Sequence, residues 1–163
     1  MLAPRVIAGA DAVAPFAIER IGASRVALAS VLPADCADVC LLPSPAGEAL
    51  PGIPASRAEL RFADGVLQRV DIVFDEARYA TAIAALQARF GPGEDRHYRA
   101  RAGMGAAELV AGVMLWRGAD LVIVAEQFAG KINRSRLRYG TPRAMHETLE
   151  EITARPVGAR RDL

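Results

Sequence analysis

The alternation of hydrophobic and polar residues divides the chain into short strands and helices. Apolar residues alternate with Glu59 and Arg61, which is the spacing of a strand with one buried face. The pair Asp64-Gly65 comes next, and it indicates a tight hairpin turn because both residues tolerate a positive φ. A second strand is therefore predicted to return over 66–74. Further strands are predicted at 16–21, 39–42, 97–101, 110–116, 121–128 and 132–139, with a loop at 43–54.

Three helices are predicted from capping residues and from apolar residues at helical spacing. The clearest spans 76–90, with Asp75 as its N-cap and Gly91 just after its end. A shorter helix is predicted at 24–32, and a closing helix at 142–154. The apolar stripe of the 76–90 helix comprises Tyr79, Ile83, Leu86 and Phe90, at steps of four, three and four residues.

The order of these elements predicts an α+β fold with one antiparallel sheet of about six to eight strands. Two halves, 16–74 and 75–140, each contain a helix followed by strands, so both main helices should lie on one face of the sheet. With the short C-terminal helix they form a single domain over 16–155. The Ala/Pro-rich residues 1–15 are predicted to be a flexible segment, and 156–163 a frayed tail.

Composition adds one feature to this picture, which is the placement of charge. The 163 residues are 52% hydrophobic and carry a net charge of +1, so no global field attracts nucleic acid. Residues 1–95 hold eight arginines against twelve acidic residues, whereas residues 96–143 hold eight arginines and one lysine against three. One face or end should therefore be more basic than the other. No apolar run is long enough for a transmembrane helix.

The last predicted strand concentrates this positive charge in a row of arginines. The arginines alternate with Leu137 and Tyr139, so they share one face of the strand. Such a row can bind carboxylates, phosphates or an acidic partner. The alternative is a solvated strand face whose arginines pair with acidic residues on a neighbouring strand. The predicted binding residues are Arg134, Arg136, Arg138, Arg99 and Arg101, with Arg96 beside them.

Cys36 and Cys40 are the only cysteines. No second pair of Cys or His residues completes a zinc site, so a metal is not expected. Two interpretations remain open, a local disulfide and two free buried thiols. A disulfide would place the protein outside the cytoplasm.

The remaining motifs predict no catalytic residue, no metal and no cofactor, and therefore no enzyme. Neither His97 nor His146 has a partner at metal-ligand spacing. The chain has no Gly-x-Ser-x-Gly motif, and its short glycine pairs match neither a dinucleotide fingerprint nor a phosphate loop. The adjacent acids Asp75 and Glu76 are typical of a helix N-terminus.

Several turns, caps and core positions over 16–140 resemble those of small Gram-negative envelope domains. The residues concerned are Ile21-Gly22-Ala23-Ser24, Phe62-Ala63-Asp64-Gly65-Val66-Leu67, Arg89-Phe90-Gly91-Pro92 and Trp116. They resemble the superfamily that contains β-lactamase inhibitor protein and the small outer-membrane assembly lipoproteins. The resemblance implies a periplasmic or secreted protein without catalysis, although the lipidated cysteine of the lipoproteins is not found here.

These observations favour a non-catalytic protein-binding or assembly module of the bacterial cell envelope. Its predicted contact surface is the sheet face with the arginine row, and its predicted partner is a protein, acidic if the row is used. The alternative is a binder of a small anionic or lipid ligand between sheet and helices. The chain does not begin with a signal peptide, which fits a mature form after leader removal. A cytoplasmic location therefore stays open as the alternative to a periplasmic or secreted one.

Overall fold

The computed structural model describes residues 16–43, 46–101, 105 and 107–162, so the predicted flexible segment 1–15 lies outside the described residues. The described residues form three α-helices and eleven strands. The helices are α1 (Arg25–Leu28), α2 (Tyr79–Phe90) and α3 (His146–Ala154). The strands are β1 (Val39–Leu42), β2 (Gly47–Leu50), β3 (Ile53–Ala63), β4 (Val66–Asp75), β5 (Glu94–Asp95), β6 (Tyr98–Arg101), β7 (Glu108–Ala111), β8 (Val113–Arg117), β9 (Val122–Glu126), β10 (Arg134–Gly140) and β11 (Arg160–Asp162).

One antiparallel sheet of eight strands dominates the fold, which confirms the predicted α+β class. Its order is β1-β3-β4-β10-β9-β8-β5, and β2 also pairs with β3. The predicted hairpin between β3 and β4 is confirmed, because Asp64 and Gly65 have φ values of 53° and 72°. A second sheet, which the pattern did not predict, has the order β11-β6-β7. The tail is therefore not wholly frayed, since β11 pairs in parallel with β6.

The strand predicted at 110–116 is two strands that belong to different sheets. The break falls at Gly112, between β7 and β8. A Cβ atom at Gly112 would lie 2.9 Å from the Tyr79 hydroxyl oxygen, so any other residue here would have to displace the Tyr79 ring at the start of α2. The Gly112 N–H donates to the side-chain carbonyl of Gln127 at 3.0 Å. The hydrophobic run is continuous through this break although only β8 is largely buried, since Leu109 and Val110 of β7 are exposed.

Two other sequence predictions are wrong in their local structure. The segment predicted as a strand at 16–21 is a 3-10 turn, Ile18–Arg20, and its apolar residues Phe16 and Ile18 are buried without strand pairing. The loop predicted at 43–54 contains β2 and the start of β3. Pro54 is compatible with the start of β3 because an outward-facing N–H is not needed at this edge of the sheet.

The two faces of the large sheet bury separate cores. The inner face packs against α1 and α2, through Leu28 and Leu86 among others, which confirms that both main helices share one face. The outer face of β8 and β9 packs against α3, through Ile152, and against β6, through Tyr98. No helix among the described residues is long and apolar enough to span a membrane.

The helix α2 begins as the sequence predicts. The Asp75 carboxylate accepts a hydrogen bond from the Ala77 N–H at 3.0 Å, and a 3-10 turn over Glu76–Arg78 precedes the α-helix. Leu86 is fully buried and Tyr79 nearly so, whereas Ile83 and Phe90 are half-buried. Gly91 ends the helix with a φ of 81°.

All three tyrosines should resist ionisation while the protein is folded. Burial is the largest cause that raises the pKa of Tyr79, Tyr98 and Tyr139 above the usual value of 10.0. The folded state then holds the phenolic protons more tightly than the unfolded chain. The resulting stability is fully present below about pH 10 and is lost as the pH rises through the folded pKa values. In an alkaline titration, phenolate absorbance should appear together with loss of circular dichroism; three normal titrations in a folded protein would contradict this.

Candidate functional site

The predicted arginine row lies on the outer face of the sheet, as its period of two requires. Leu137 and Tyr139 of β10 are buried in the inner core, so Arg134, Arg136 and Arg138 point the other way. In the cross-strand register, Arg138 lies opposite Asp71 on β4 and opposite a valine on β9. The next outward position on β9 is Glu126, directly opposite Arg136.

Two of the three arginines pair with the single carboxylate of Glu126 on the neighbouring strand, so the row is not open and the alternative stated from the sequence holds for these two. Arg138 and Glu126 are each only 5% exposed and form a buried ion pair. Arg136 is one third exposed and donates to the other carboxylate oxygen of Glu126 at 3.0 Å. Only Arg134 stands exposed at the end of the row. The sequence could not show this, because Glu126 follows an apolar run and its partners lie ten and twelve residues further on.

A second buried cation, Arg69 on β4, fixes the closing helix over the outer face. Its guanidinium donates two hydrogen bonds to Asp71, at 2.7 and 3.0 Å. It also donates to the Thr148 hydroxyl on α3 at 3.0 Å. Sequence reasoning missed this residue, because the pairing depends on the position of α3 and not on local spacing.

The structure does not bring Arg96, Arg99 and Arg101 into the arginine row. Arg96 caps the end of α3 through three backbone carbonyls, the shortest hydrogen bond being 2.7 Å to Arg155. Arg99 and Arg101 alternate on β6 with Tyr98, whose ring packs in the outer-face core. They therefore point away from that core. Arg99 donates to the Gly158 carbonyl at 3.0 Å and lies 3.5 Å from the Glu108 carboxylate.

The part of the outer face that remains uncovered lies on β1, β3 and β4. The helix α3 covers the outer face from β8 and β9 as far as Arg69 on β4, and no described helix packs beyond that point. We define the open outer face by its outward residues, and cross-strand register arranges these in three rows. The rows are Arg57 with Val73, then Leu41 with Glu59 and Asp71, then Val39 with Arg61; Arg69, which follows Arg61 in the third row, is buried beneath α3.

The open outer face combines an apolar strip with unevenly paired charge. Val39 and Leu41 are 57% and 51% exposed, which is high for adjacent outward positions of one strand. Arg61 donates to Glu59 at 2.7 Å. Arg57 is exposed and has no hydrogen bond or ion pair with any residue in the described ranges. The alternation of polar and apolar residues in β3 was the sequence signal for this face, whereas β1 is apolar throughout and gave none.

The two cysteines lie side by side at the edge of the same region. The Cα atoms of Cys36 and Cys40 are 5.0 Å apart, within the usual range for a disulfide, and their sulfur atoms are at disulfide distance. The side chain of Cys40, on the inner side of β1, is buried in the inner core, and Cys36 packs against that core. Of the two interpretations left open by the sequence, the geometry favours the disulfide.

Thiol titration of the denatured, unreduced protein should therefore find no free thiol when the protein is isolated from an oxidising compartment. Reduction should release two thiols per chain, since Cys36 and Cys40 are the only cysteines. Two free thiols before reduction, in protein isolated from a periplasm, would contradict this prediction.

The other polar clusters offer no evident chemistry. Within the described ranges, no group of three or more His, Cys, Asp or Glu side chains could hold a metal ion. The ring of His97 lies 3.1 Å from the Asp95 carboxylate, and hydrogen bonding from the His97 backbone N–H holds the pKa of Asp95 below its usual value. His146 pairs with Glu150 on the exposed side of α3.

A shallow cleft lies at the opposite edge of the sheet, where β5 ends. Its volume is about 460 Å³. Phe90, Trp116 and Leu121 form its apolar wall, and Arg117 and Glu94 pair at 3.0 Å on its rim. The indole N–H of Trp116 is already used, because it donates to a backbone carbonyl at 2.9 Å.

Comparisons of the chain with protein-family models, with curated proteins and with solved structures find no match.

Proposed function

We propose that the protein is a non-catalytic protein-binding or assembly module whose contact surface is the open outer face. The observation that carries this proposal is a sheet face with exposed apolar residues that no described element covers. Scattered apolar residues are ordinary on a protein surface, whereas adjacent ones flanked by arginines have the composition of an interface. Val39 and Leu41 would form the apolar centre of the contact, and Arg57 and Arg61 part of its rim.

The charge of this face favours an acidic partner. Glu126 and Asp71 neutralise the buried arginines beside them, and Glu59 pairs with Arg61. Arg57 and Arg134 remain as exposed cations near the face. Charges at an interface rim mainly accelerate association and set specificity, so binding should weaken as the salt concentration rises.

We further propose that the module works in an oxidising compartment of the bacterial cell envelope. The disulfide geometry of Cys36 and Cys40 supports a location outside the cytoplasm, where such bonds persist. The resemblance of the turns and caps to envelope domains supports the same assignment.

A binder of a small apolar or anionic ligand is the second candidate, and the cleft beside Trp116 is the observation that favours it. Its volume lies within the range of ligand sites, but it is open and lies at the sheet edge and not between sheet and helices. Trp116 is the only tryptophan, so its fluorescence reports directly on occupation of the cleft.

Charge reversal on the face separates these candidates. We expect the Arg57→Glu/Arg134→Glu variant to lose its protein partner in affinity capture from an envelope extract, because two attractive rim charges become repulsive. The matched control is Arg117→Glu/Arg160→Glu, which changes the net charge equally but lies at the far sheet edge and on the small sheet. Equal capture by both variants would refute the assigned surface.

A further inference from the structure

The strand β1 ends the large sheet, and its outer edge is unpaired with any described residue. The Phe62 N–H donates to the Asp38 carbonyl at 2.7 Å. Hydrogen-bonding direction alternates along an antiparallel strand, so Cys40 and Leu42 also direct their backbone groups to β3. The backbone groups of Val39 and Leu41 consequently point outward, ready to pair with another strand.

We propose that a second copy of this chain pairs with this edge, β1 against β1, around a two-fold axis. An antiparallel pair of identical strands is self-complementary, as a two-fold interface requires. If the axis passes Cys40, Val39 of each copy lies opposite Leu41 of the other. These two residue pairs then exchange four backbone hydrogen bonds, using all the outward groups of both strands.

The charges of the neighbouring strand select this register over its alternatives. The row of Leu41 continues into Glu59 and the row of Val39 continues into Arg61, and these two side chains also pair with each other within one copy at 2.7 Å. A two-fold axis at Cys40 places the row of Leu41 and Glu59 in one copy in line with the row of Val39 and Arg61 in the other. Centring on Val39 or Leu41 would instead join rows of like charge.

A proline adds to this selection. Centring on Leu41 would place Val39 opposite Pro43, which has no N–H to donate.

In the preferred register, Glu59 of one copy and Arg61 of the other are three strand spacings apart, or about 14 Å between Cα atoms. Their attraction therefore acts through space and is strongest at low ionic strength.

The dimer goes beyond the proposed function and does not depend on it. Pairing at the edge leaves the open outer face exposed and joins two copies of it into one continuous surface. The apolar strips formed by Val39 and Leu41 would then meet at the centre of the combined face.

Sedimentation velocity of the full chain over a concentration series tests this proposal. The wild type should show a reversible dimer, and Leu41→Pro should raise its dissociation constant about tenfold or more, because proline removes an outward N–H that the fold does not use. Leu41→Lys should act in the same direction through the side chain. The control Val110→Lys, on β7, should leave the dimer intact, and circular dichroism should confirm that each variant folds.

Charge variants test the register itself. Glu59→Arg and Arg61→Glu should each weaken the dimer about threefold at low salt, because like charges then face each other across the axis. A mixture of the two variants should restore association as a heterodimer, which a folding defect could not do. A chain that stays monomeric at every concentration, or a dimer indifferent to the Leu41 variants, would overturn the proposal. If another segment of the chain or another protein occupied the outer edge of β1, the chain would stay monomeric.

Discussion

Replacement of Glu126 with alanine is expected to lower the free energy of unfolding by about 3–5 kcal/mol. The carboxylate is buried and accepts hydrogen bonds from Arg136 and Arg138. Without it, Arg138 would keep its charge inside the sheet with no partner, and an uncompensated buried charge is among the costliest defects in a core. Urea denaturation of the purified variant measures the loss.

Matched variants distinguish the cost of an orphaned charge from the net contribution of the ion pair. Replacement of both partners, as Glu126→Leu/Arg138→Met, should be much less harmful than Glu126→Ala, because no charge is left buried. Arg134→Ala, at the exposed end of the same strand, should change stability by less than about 0.5 kcal/mol. A double variant as unstable as Glu126→Ala would mean that shape, and not charge, dominates this site.

Replacement of Leu86 with alanine should cost about 2–5 kcal/mol, since the side chain is fully buried between α2 and the inner face. The control is Thr81→Ala, an exposed position on the same helix, which should have little effect. Denaturant melts give both values. A loss well under 1 kcal/mol for Leu86→Ala would show that the packing of α2 is misassigned.

Local signals in the sequence were sufficient for most of the fold. The Asp64-Gly65 turn, the Asp75 cap and the stop at Gly91 are all short-range features, and each is where the pattern predicted it. Gly112 shows the limit of such signals. Its role depends on the approach of Tyr79, which is 33 residues earlier in the chain, and no local pattern encodes that distance.

The candidate site was less predictable because its chemistry depends on cross-strand pairing. Period two placed the three arginines of β10 on one face correctly, but it could not show that Glu126 binds two of them. Arg57 received no weight in the sequence because it stands alone. It is exposed next to the apolar strip only because β3 pairs with β1 and β4.

The most direct test of a binding role for the open outer face is site-specific photo-cross-linking in living cells that produce the protein. A photo-reactive residue in place of Arg57 or Arg134 should form adducts with a second protein, and high salt should reduce them. The same residue in place of Arg117 or Arg160 should form none. Adducts of twice the chain's own mass would report the dimer and not the partner. Adducts from Arg117 or Arg160, with none from Arg57 or Arg134, would contradict the account.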